Sequence, residues 1–143
     1  MTGRFKIRQR MPSGYAQAKG GYPTTREFQI VDEATVLGVF PTKLDAVRAL
    51  VRLGARLHLE WQRTVIDGSA LQYDFCAVDG DEKVGRIYRI KHPPSEGQWR
   101  WAMNASGPDI HHYRQTCSGV VATRDEAVRL VEHVYTLCLA PEE

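Results

Sequence analysis

The chain has 143 residues, of which 43% are apolar and 25% are charged, and these proportions exclude a disordered or fibrous protein. No apolar run approaches the roughly 20 residues that span a bilayer, so no membrane association is expected. The net charge is only +2, but residues 1–30 contain six basic residues and one acidic residue. Such an excess is typical of a surface that attracts anions, or of an edge strand whose charges prevent aggregation.

The first predicted element is a β-strand at Phe5–Arg10, where apolar and basic side chains alternate with the period of two residues that a strand requires. Phe5 and Ile7 are expected to point to one face of this strand. The opposite face then carries three cations, which are Lys6, Arg8 and Arg10.

A long loop, Pro12–Thr25, follows and contains Tyr15 and Tyr22 among small residues. Tyrosine-containing loops suit protein interfaces because tyrosine offers a large and rigid contact surface. A flexible connection between two strands is the alternative interpretation. The next strands are predicted at Glu27–Asp32 and Val36–Phe40.

A helix is predicted over about residues 43–62, because apolar residues recur there at helical spacing. Thr42 precedes it as the N-cap, a position at which threonine satisfies a free backbone amide. Gly54 falls inside this pattern, where glycine costs roughly 1 kcal/mol relative to alanine.

The second half of the chain begins with two strands, Gln72–Val78 and Val84–Lys91, which the turn Asp79-Gly80-Asp81-Glu82 joins into a hairpin. Two further strands are predicted at Gln98–Asn104 and His111–Val121. Turns rich in proline and glycine separate these elements.

Two tryptophans lie on one face of the third of these strands. Trp99 and Trp101 stand on either side of Arg100, which points to the other face, and Met103 continues the face of the tryptophans. They could stack on unpaired nucleic-acid bases, but large aromatic side chains dominate core burial. Both tryptophans are therefore assigned to the core.

The sequence contains an internal repeat. The segment GVFPTKLDAVRAL at residues 38–50 is similar to GVVATRDEAVRLV at residues 119–131, with six of thirteen positions identical. The second copy predicts a helix over about residues 124–139. Its T-R-D-E start is a capping box in which Glu126 reaches back to the amide of Thr123. The shared residues are a strand end, a helix cap and an apolar stripe, so the repeat reports architecture.

The predicted fold class is α+β, with two antiparallel sheet-plus-helix half-repeats at about residues 1–65 and 66–143. Neither half is long enough to bury a large core alone. No linker rich in glycine, serine or proline separates the halves. We therefore expect a single pseudo-symmetric domain over residues 1–143.

The two-tryptophan strand with Trp99-Arg100-Trp101, followed by the capped helix Thr123–Val134, resembles AP2-type and integrase N-terminal DNA-binding domains. That resemblance implies DNA contacts from an exposed sheet face that includes Arg100. The segment Gly107–His111 is similar to a turn of double-stranded-RNA-binding domains. That family is excluded, because the turn lies too close to a helix that begins with acids in place of phosphate-binding lysines. No family is assigned.

A small, non-enzymatic binding module is the predicted function, with nucleic acid as the first candidate ligand. If the basic strands belong to one sheet, its outer face holds up to six cations that contact phosphates with weak sequence specificity. These residues are Lys6, Arg8, Arg10, Arg89, Lys91 and Arg100. A protein–protein adaptor, or an inhibitor of a larger enzyme or complex, is the alternative, with Tyr15 and Tyr22 as contacts.

Catalysis, metal binding and a small-molecule cofactor are not expected. On one extended strand His111 and Cys117 would lie roughly 20 Å apart, and His112 would point to the opposite face. The adjacent histidines have no third ligand nearby in the sequence, and no phosphate-binding glycine loop is present. No catalytic or metal residue is therefore predicted.

The three cysteines are odd in number, widely spaced and without a C-x-x-C pair. This usage is typical of a reduced, cytoplasmic protein whose cysteines act as small apolar residues. They are Cys76, Cys117 and Cys138.

Overall fold

The computed structural model describes residues 4–10, 27–32, 35–112 and 115–141. Within these ranges, eight strands in two antiparallel sheets and two helices confirm the α+β class. Tyr15 and Tyr22, the residues of the alternative protein interface, lie outside the described residues. In chain order the elements are β1 (Phe5–Arg10), β2 (Glu27–Asp32), β3 (Thr35–Phe40), α1 (Lys43–Arg52), β4 (Glu60–Ile66), β5 (Ser69–Asp79), β6 (Glu82–Arg89), β7 (Trp99–Met103), β8 (Ser118–Val121) and α2 (Arg124–Leu139).

The described chain divides after His58 into two compact units. The first unit is a three-stranded sheet in the order β1-β2-β3, and α1 contacts all three strands. Apolar side chains from strands and helix are withdrawn from water there, and burial of such surface is the main force that holds the unit together. The buried apolar residues are Phe5, Ile30, Val31, Ala46, Val47, Leu50 and Leu57.

Helix α1 ends at Arg52, ten residues before the predicted end at residue 62. Gly54 adopts a φ of +69°, the left-handed conformation that glycine accepts without strain. Its amide donates to the carbonyl of Val51, and the amide of Ala55 donates to that of Leu50. These two bonds form a Schellman motif, so the glycine that was assigned to the helix interior terminates the helix.

The residues beyond this stop form β4, a strand absent from the sequence prediction. A tight turn joins β4 to β5, in which Asp67 has a φ of 51° and Gly68 a φ of 79°. Positive φ at both central residues is the signature of the Asp-Gly hairpin turn. The dipeptide marks this hairpin in the sequence, but the helical spacing of Leu57 and Trp61 obscured it.

The second unit is a five-stranded antiparallel sheet in the order β4-β5-β6-β7-β8, and α2 packs on β6, β7 and β8. The predicted span of α2, residues 124–139, is confirmed. Its buried apolar residues recur at helical spacing, as an amphipathic helix on a sheet requires. They are Ala127, Val131, Val134, Tyr135 and Cys138.

Both helices begin at the predicted threonine. The Thr42 hydroxyl accepts the amide of Asp45 at 3.1 Å, and the Thr123 hydroxyl accepts the amide of Glu126 at 3.2 Å. Glu126 Oε1 also accepts a hydrogen bond from the Thr123 hydroxyl. The carboxylate therefore returns to the cap, as the capping box predicts, but to its hydroxyl and not to its amide.

The predicted strand over His111–Val121 is wrong at its described residues 111–112 and 115–117, because β8 begins only at Ser118. The amide of His111 donates to the carbonyl of Cys138 instead of to a neighbouring strand.

None of the helices in the described ranges has the length and apolar character needed to cross a membrane. The expectation that both halves share one core stays a prediction.

Candidate functional site

The six predicted cations belong to two different sheets. Lys6 and Arg8 are exposed on the same face of β1, in the three-stranded sheet. Arg8 donates from Nε and Nη2 to Gln29 Oε1, at 3.2 and 2.6 Å, across the β1–β2 pair. Arg10 ends β1, and its side chain lies outside the described part of the structure.

The other three predicted cations belong to the five-stranded sheet. Arg89 is directly opposite Trp99 in the β6–β7 register, whereas Arg100 is opposite Tyr88. Because directly opposed residues share a face and successive residues alternate, Arg89 and Arg100 point to opposite faces. Lys91 is exposed just beyond the end of β6. The basic strands therefore do not lie in one sheet, which was the condition for a single face with six cations.

The helix-facing side of the larger sheet is identified by its contacts with α2. Trp61 Nε1 donates to Glu132 of this helix at 3.2 Å. A Cβ added to Gly85 would meet Val131 of the same helix. Trp99 and Trp101 lie on this side with 8% and 5% of their surface exposed, so their assignment to the core is confirmed.

A pocket of about 380 Å³ opens where this side of the sheet meets the beginning of α2. Its volume lies within the range of ligand sites, roughly 300–1,000 Å³. Three strands and the start of the helix supply its walls, all from the second unit. The lining residues are Arg63, Gln72, Tyr73, Phe75, Trp99, Thr123, Arg124 and Asp125. We call this site the Tyr73 pocket.

Aromatic rings form much of the wall of the Tyr73 pocket. Phe75 and Trp99 are stacked with their ring centroids 6.4 Å apart and their planes at 30°. The Arg89 guanidinium lies over the Tyr73 ring, 3.6 Å from its centroid. A cation in this position is attracted by the negative face of the ring, so Arg89 is held beside the pocket.

The charge around the Tyr73 pocket is predominantly positive. Arg63 is exposed on β4 and Arg124 opens α2, and Arg89 adds a third cation through Tyr73. Asp125 is the acidic residue among the lining side chains, and its carboxylate lies 3.8 Å from Arg124 Nε. The arrangement offers flat apolar walls and guanidinium groups to one ligand.

The opposite side of the sheet holds a different polar cluster. Asp74 accepts Arg86 Nε at 2.8 Å and Arg86 Nη2 at 2.5 Å, and the Thr64 hydroxyl donates to the same carboxylate at 2.6 Å. Burial opposes ionisation of Asp74, but these hydrogen bonds and the positive charges of Arg86 and Lys91 outweigh it and lower its pKa. Arg86 is therefore neutralised by a carboxylate on this side of the sheet.

A third group of side chains gathers beside the C-terminal turn of α2. His112, Cys117 and Cys138 each place one ligand atom within 4.8 Å of the other two. Cys117 Sγ lies 3.8 Å from His112 Nδ1. Burial, together with the neighbouring Cys117, raises the pKa of the Cys138 thiol to about 11. These are the residues that could hold a metal ion.

Sequence reasoning missed both groupings for identifiable reasons. Arg63 was placed beyond a helix that ends earlier, so the strand that carries it was not recognised. Cys117 was separated from the histidines by assuming an extended strand, whereas ligand atoms of His112 and Cys117 lie within 4.8 Å of each other. The Asp67-Gly68 turn could have revealed β4, but no local signal announces that Cys138 meets Cys117.

No protein-family model, curated protein or solved structure matches the chain. Function is therefore inferred from the geometry of the described residues.

Proposed function

We propose that the chain is a small, non-enzymatic module that binds single-stranded nucleic acid, with the Tyr73 pocket receiving one unpaired base and its phosphate. The observation that carries this proposal is the guanidinium of Arg89 stacked over Tyr73, on the wall of a pocket that Arg63 and Arg124 also line. A nucleotide presents the complementary pair of features, a flat π-surface and an anion.

The aromatic wall suits a base because stacking on aromatic side chains or guanidinium planes contributes roughly 1–3 kcal/mol per base. Tyr73 keeps 36% of its surface exposed, so its ring is accessible from solvent. Phe75 is half-buried beside it. A ring that enters here replaces water on apolar surface without opening the core.

Weak sequence specificity follows from the polar groups available. Gln72 is the one side-chain amide among the lining residues, and it donates to the Tyr73 hydroxyl at 3.2 Å. Arginines contact phosphates whatever the base, and stacking tolerates every base. Phosphate contacts by the other predicted cations stay a prediction that is separate from the pocket, and these residues are Lys6, Arg8, Arg10, Lys91 and Arg100.

Fluorescence anisotropy with a labelled single strand and a labelled duplex, at about 50 and 200 mM salt, tests the proposal. We expect preferential binding of the single strand and an affinity that falls with salt. Tyr73→Ala is expected to weaken binding by about 5- to 150-fold, the equivalent of one lost stacking contact. Each of Arg63→Ala and Arg124→Ala is expected to reduce the log–log salt slope by about 0.7.

The matched control is Arg129→Ala, which removes an exposed cation from the same helix outside the pocket. Equal affinities of Tyr73→Ala and Arg129→Ala would contradict the base-binding role of the pocket. Absence of binding at about 50 mM salt would reject nucleic acid as the ligand altogether.

A protein partner is the second candidate, favoured by the edge strand β3. Val36, Leu37 and Val39 expose 41%, 44% and 53% of their surfaces on a strand that has β2 as its partner in the sheet order. Exposed apolar edge strands pair readily with another chain. Leu37→Lys with Val39→Lys is expected to abolish capture of such a partner and to leave oligonucleotide binding unchanged, whereas retained capture would exclude β3.

We also propose that the fold arose by duplication of one strand-and-helix unit and that the protein is cytoplasmic. Each unit contains three consecutive antiparallel strands followed by a threonine cap and a helix, which supports a duplicated plan. In both copies a Cβ added to the repeated glycine, Gly38 or Gly119, would lie 2.9 Å from an aromatic ring. An experimental structure in which the two caps fail to superpose would contradict the duplication.

The free cysteines support a cytoplasmic location.

A further inference from the structure

The loop between β7 and β8 and the last turn of α2 bring together three side chains that commonly bind transition metals. His112 is exposed, Cys117 is half-buried and Cys138 is fully buried, so the group reaches from the core to solvent. One ligand atom of each lies within 4.8 Å of the others, and Cys117 Sγ is 3.8 Å from His112 Nδ1. Two thiols and one imidazole form a soft-to-borderline ligand set.

We propose that His112, Cys117 and Cys138 bind a thiophilic divalent cation, for which Zn²⁺ is the probe. Tetrahedral zinc holds sulfur at about 2.3 Å and nitrogen at about 2.0–2.1 Å, which separates neighbouring ligand atoms by roughly 3.3–3.8 Å. The distance between Cys117 Sγ and His112 Nδ1 already reaches this range. The other pairs need to close by at most about 1 Å, which rotamer adjustment supplies.

The backbone on both sides of the cluster is fixed by hydrogen bonds. The amide of His111 donates to the carbonyl of Cys138 at 2.9 Å, and the amide of Met103 donates to that of Cys117 at 2.8 Å. The first bond ties the loop to the helix, and the second ties it to β7. Because the ligands arrive on anchored backbone, little ordering remains to be done when the ion binds.

The exposure of His112 provides a path for the ion, and water completes the coordination at the fourth position. Both thiols lose their protons to solvent as the metal–sulfur bonds form, because thiolate is the binding form. The bound ion joins His112 and Cys117 to the end of α2, so its role is structural. This inference does not depend on the proposed nucleic-acid binding.

Metal titration of the reduced full-length protein tests the inference, with Co²⁺ as a spectroscopic probe and Zn²⁺ as its competitor. We expect one Co²⁺ per chain, a thiolate-to-cobalt charge-transfer band and its loss when Zn²⁺ is added. Zn²⁺ is also expected to raise the Tm, since a ligand that binds the folded state stabilises it.

Variants with matched controls identify the ligands. His112→Ala and Cys117→Ser are expected to weaken Co²⁺ binding by about tenfold or more. His133→Ala removes an exposed histidine of α2, and Cys76→Ser removes the cysteine of β5, and both are expected to bind like the wild type. His112 is exposed, so its variant stays informative even if Cys117→Ser fails to fold.

Three results would overturn the inference. The reduced protein could show no thiolate band with Co²⁺. Alternatively, His112→Ala and Cys117→Ser could both bind as tightly as their controls. Finally, Cys117 and Cys138 could form a disulfide in air, seen as the loss of two hydrogens in the intact mass, with no metal uptake after renewed reduction.

Discussion

Gly85 of β6 and Val131 of α2 are so close that no side chain fits between them: a Cβ on Gly85 would lie 2.5 Å from Val131 Cγ1 and 3.0 Å from the carbonyl oxygen of Ala102. We therefore expect Gly85→Ala to destabilise the second unit by about 1–3 kcal/mol, the usual cost of overpacking. All three tryptophans, Trp61, Trp99 and Trp101, belong to this unit. Urea unfolding followed by tryptophan fluorescence measures the loss.

Val131→Ala in the Gly85→Ala background is the control for this mechanism. Val131→Ala removes the methyl groups that form one of the two close contacts. The double variant is therefore expected to lose less unfolding free energy than the sum of the losses in the two single variants. Strict additivity would show that the helix–sheet contact is not the cause.

The hydrogen-bonded pair of Asp74 and Arg86 gives a pH-dependent prediction. The folded-state pKa of Asp74 lies below its ordinary value of about 3.9, so the pair stabilises the fold above that pH and the contribution is lost as pH falls through the folded pKa. Asp74→Asn is expected to cost about 1–2 kcal/mol at pH 7, a figure reduced because Arg86 is 44% exposed.

The difference between wild type and Asp74→Asn in unfolding free energy should shrink as the pH falls below about 4, because the carboxyl of the unfolded wild type then takes up a proton while the folded state, with its lowered pKa, still resists protonation. Asp81→Asn makes the same chemical change at an exposed position in the β5–β6 turn and serves as the reference. A difference that stays constant down to pH 3 would mean that the charge of Asp74 is not what stabilises the fold.

Elements set by local chemistry were predictable from the sequence. The caps at Thr42 and Thr123 each need one side chain placed before an apolar stripe, and both were found. The β5–β6 hairpin was found from its Asp-Gly turn at residues 79–80. Such features depend on neighbours in sequence, so a pattern is enough to predict them.

Features decided by tertiary contacts were not predictable in the same way. Apolar spacing extended α1 through Leu57 and Trp61, but Leu57 pairs with Phe5 in a parallel bridge and Trp61 bonds to α2. The Tyr73 pocket is formed by residues from three strands and the start of a helix, and the pairing register of these strands cannot be read from any one segment. The meeting of Cys117 with Cys138 likewise depends on where α2 ends.

Gly54 provides a prediction for the first unit, which contains no tryptophan. Its φ of +69° is strained for any residue with a Cβ, and it terminates α1. Gly54→Ala is expected to cost about 1 kcal/mol, whereas Gly54→Asn should cost less because asparagine tolerates this conformation. Hydrogen exchange of the amides at the end of α1 measures both effects. Equal protection in the wild type and Gly54→Ala would contradict the role of Gly54 as the helix stop.

Glu132 is a buried anchor for β4 and carries the last prediction. With 1% of its surface exposed, it accepts the amide of Leu59 at 2.8 Å and Trp61 Nε1 at 3.2 Å through Oε2. Glu132→Ala leaves both donors without this acceptor, so we expect a loss of about 2–4 kcal/mol in urea unfolding. Glu132→Gln keeps an oxygen acceptor, so its loss of unfolding free energy should be less than half of the loss in Glu132→Ala.

Glu132→Ala and Glu132→Gln also test whether the position of β4 affects oligonucleotide binding at the Tyr73 pocket. Trp61 and Arg63 share one face of β4, so the bond from Trp61 to Glu132 positions the strand that brings Arg63 to the Tyr73 pocket. Where Glu132→Gln remains folded, its oligonucleotide affinity should equal that of the wild type, because the acceptor for Trp61 is retained. Equal unfolding losses for Glu132→Gln and Glu132→Ala would show instead that the charge of Glu132, and not its hydrogen bonding, holds β4 in place.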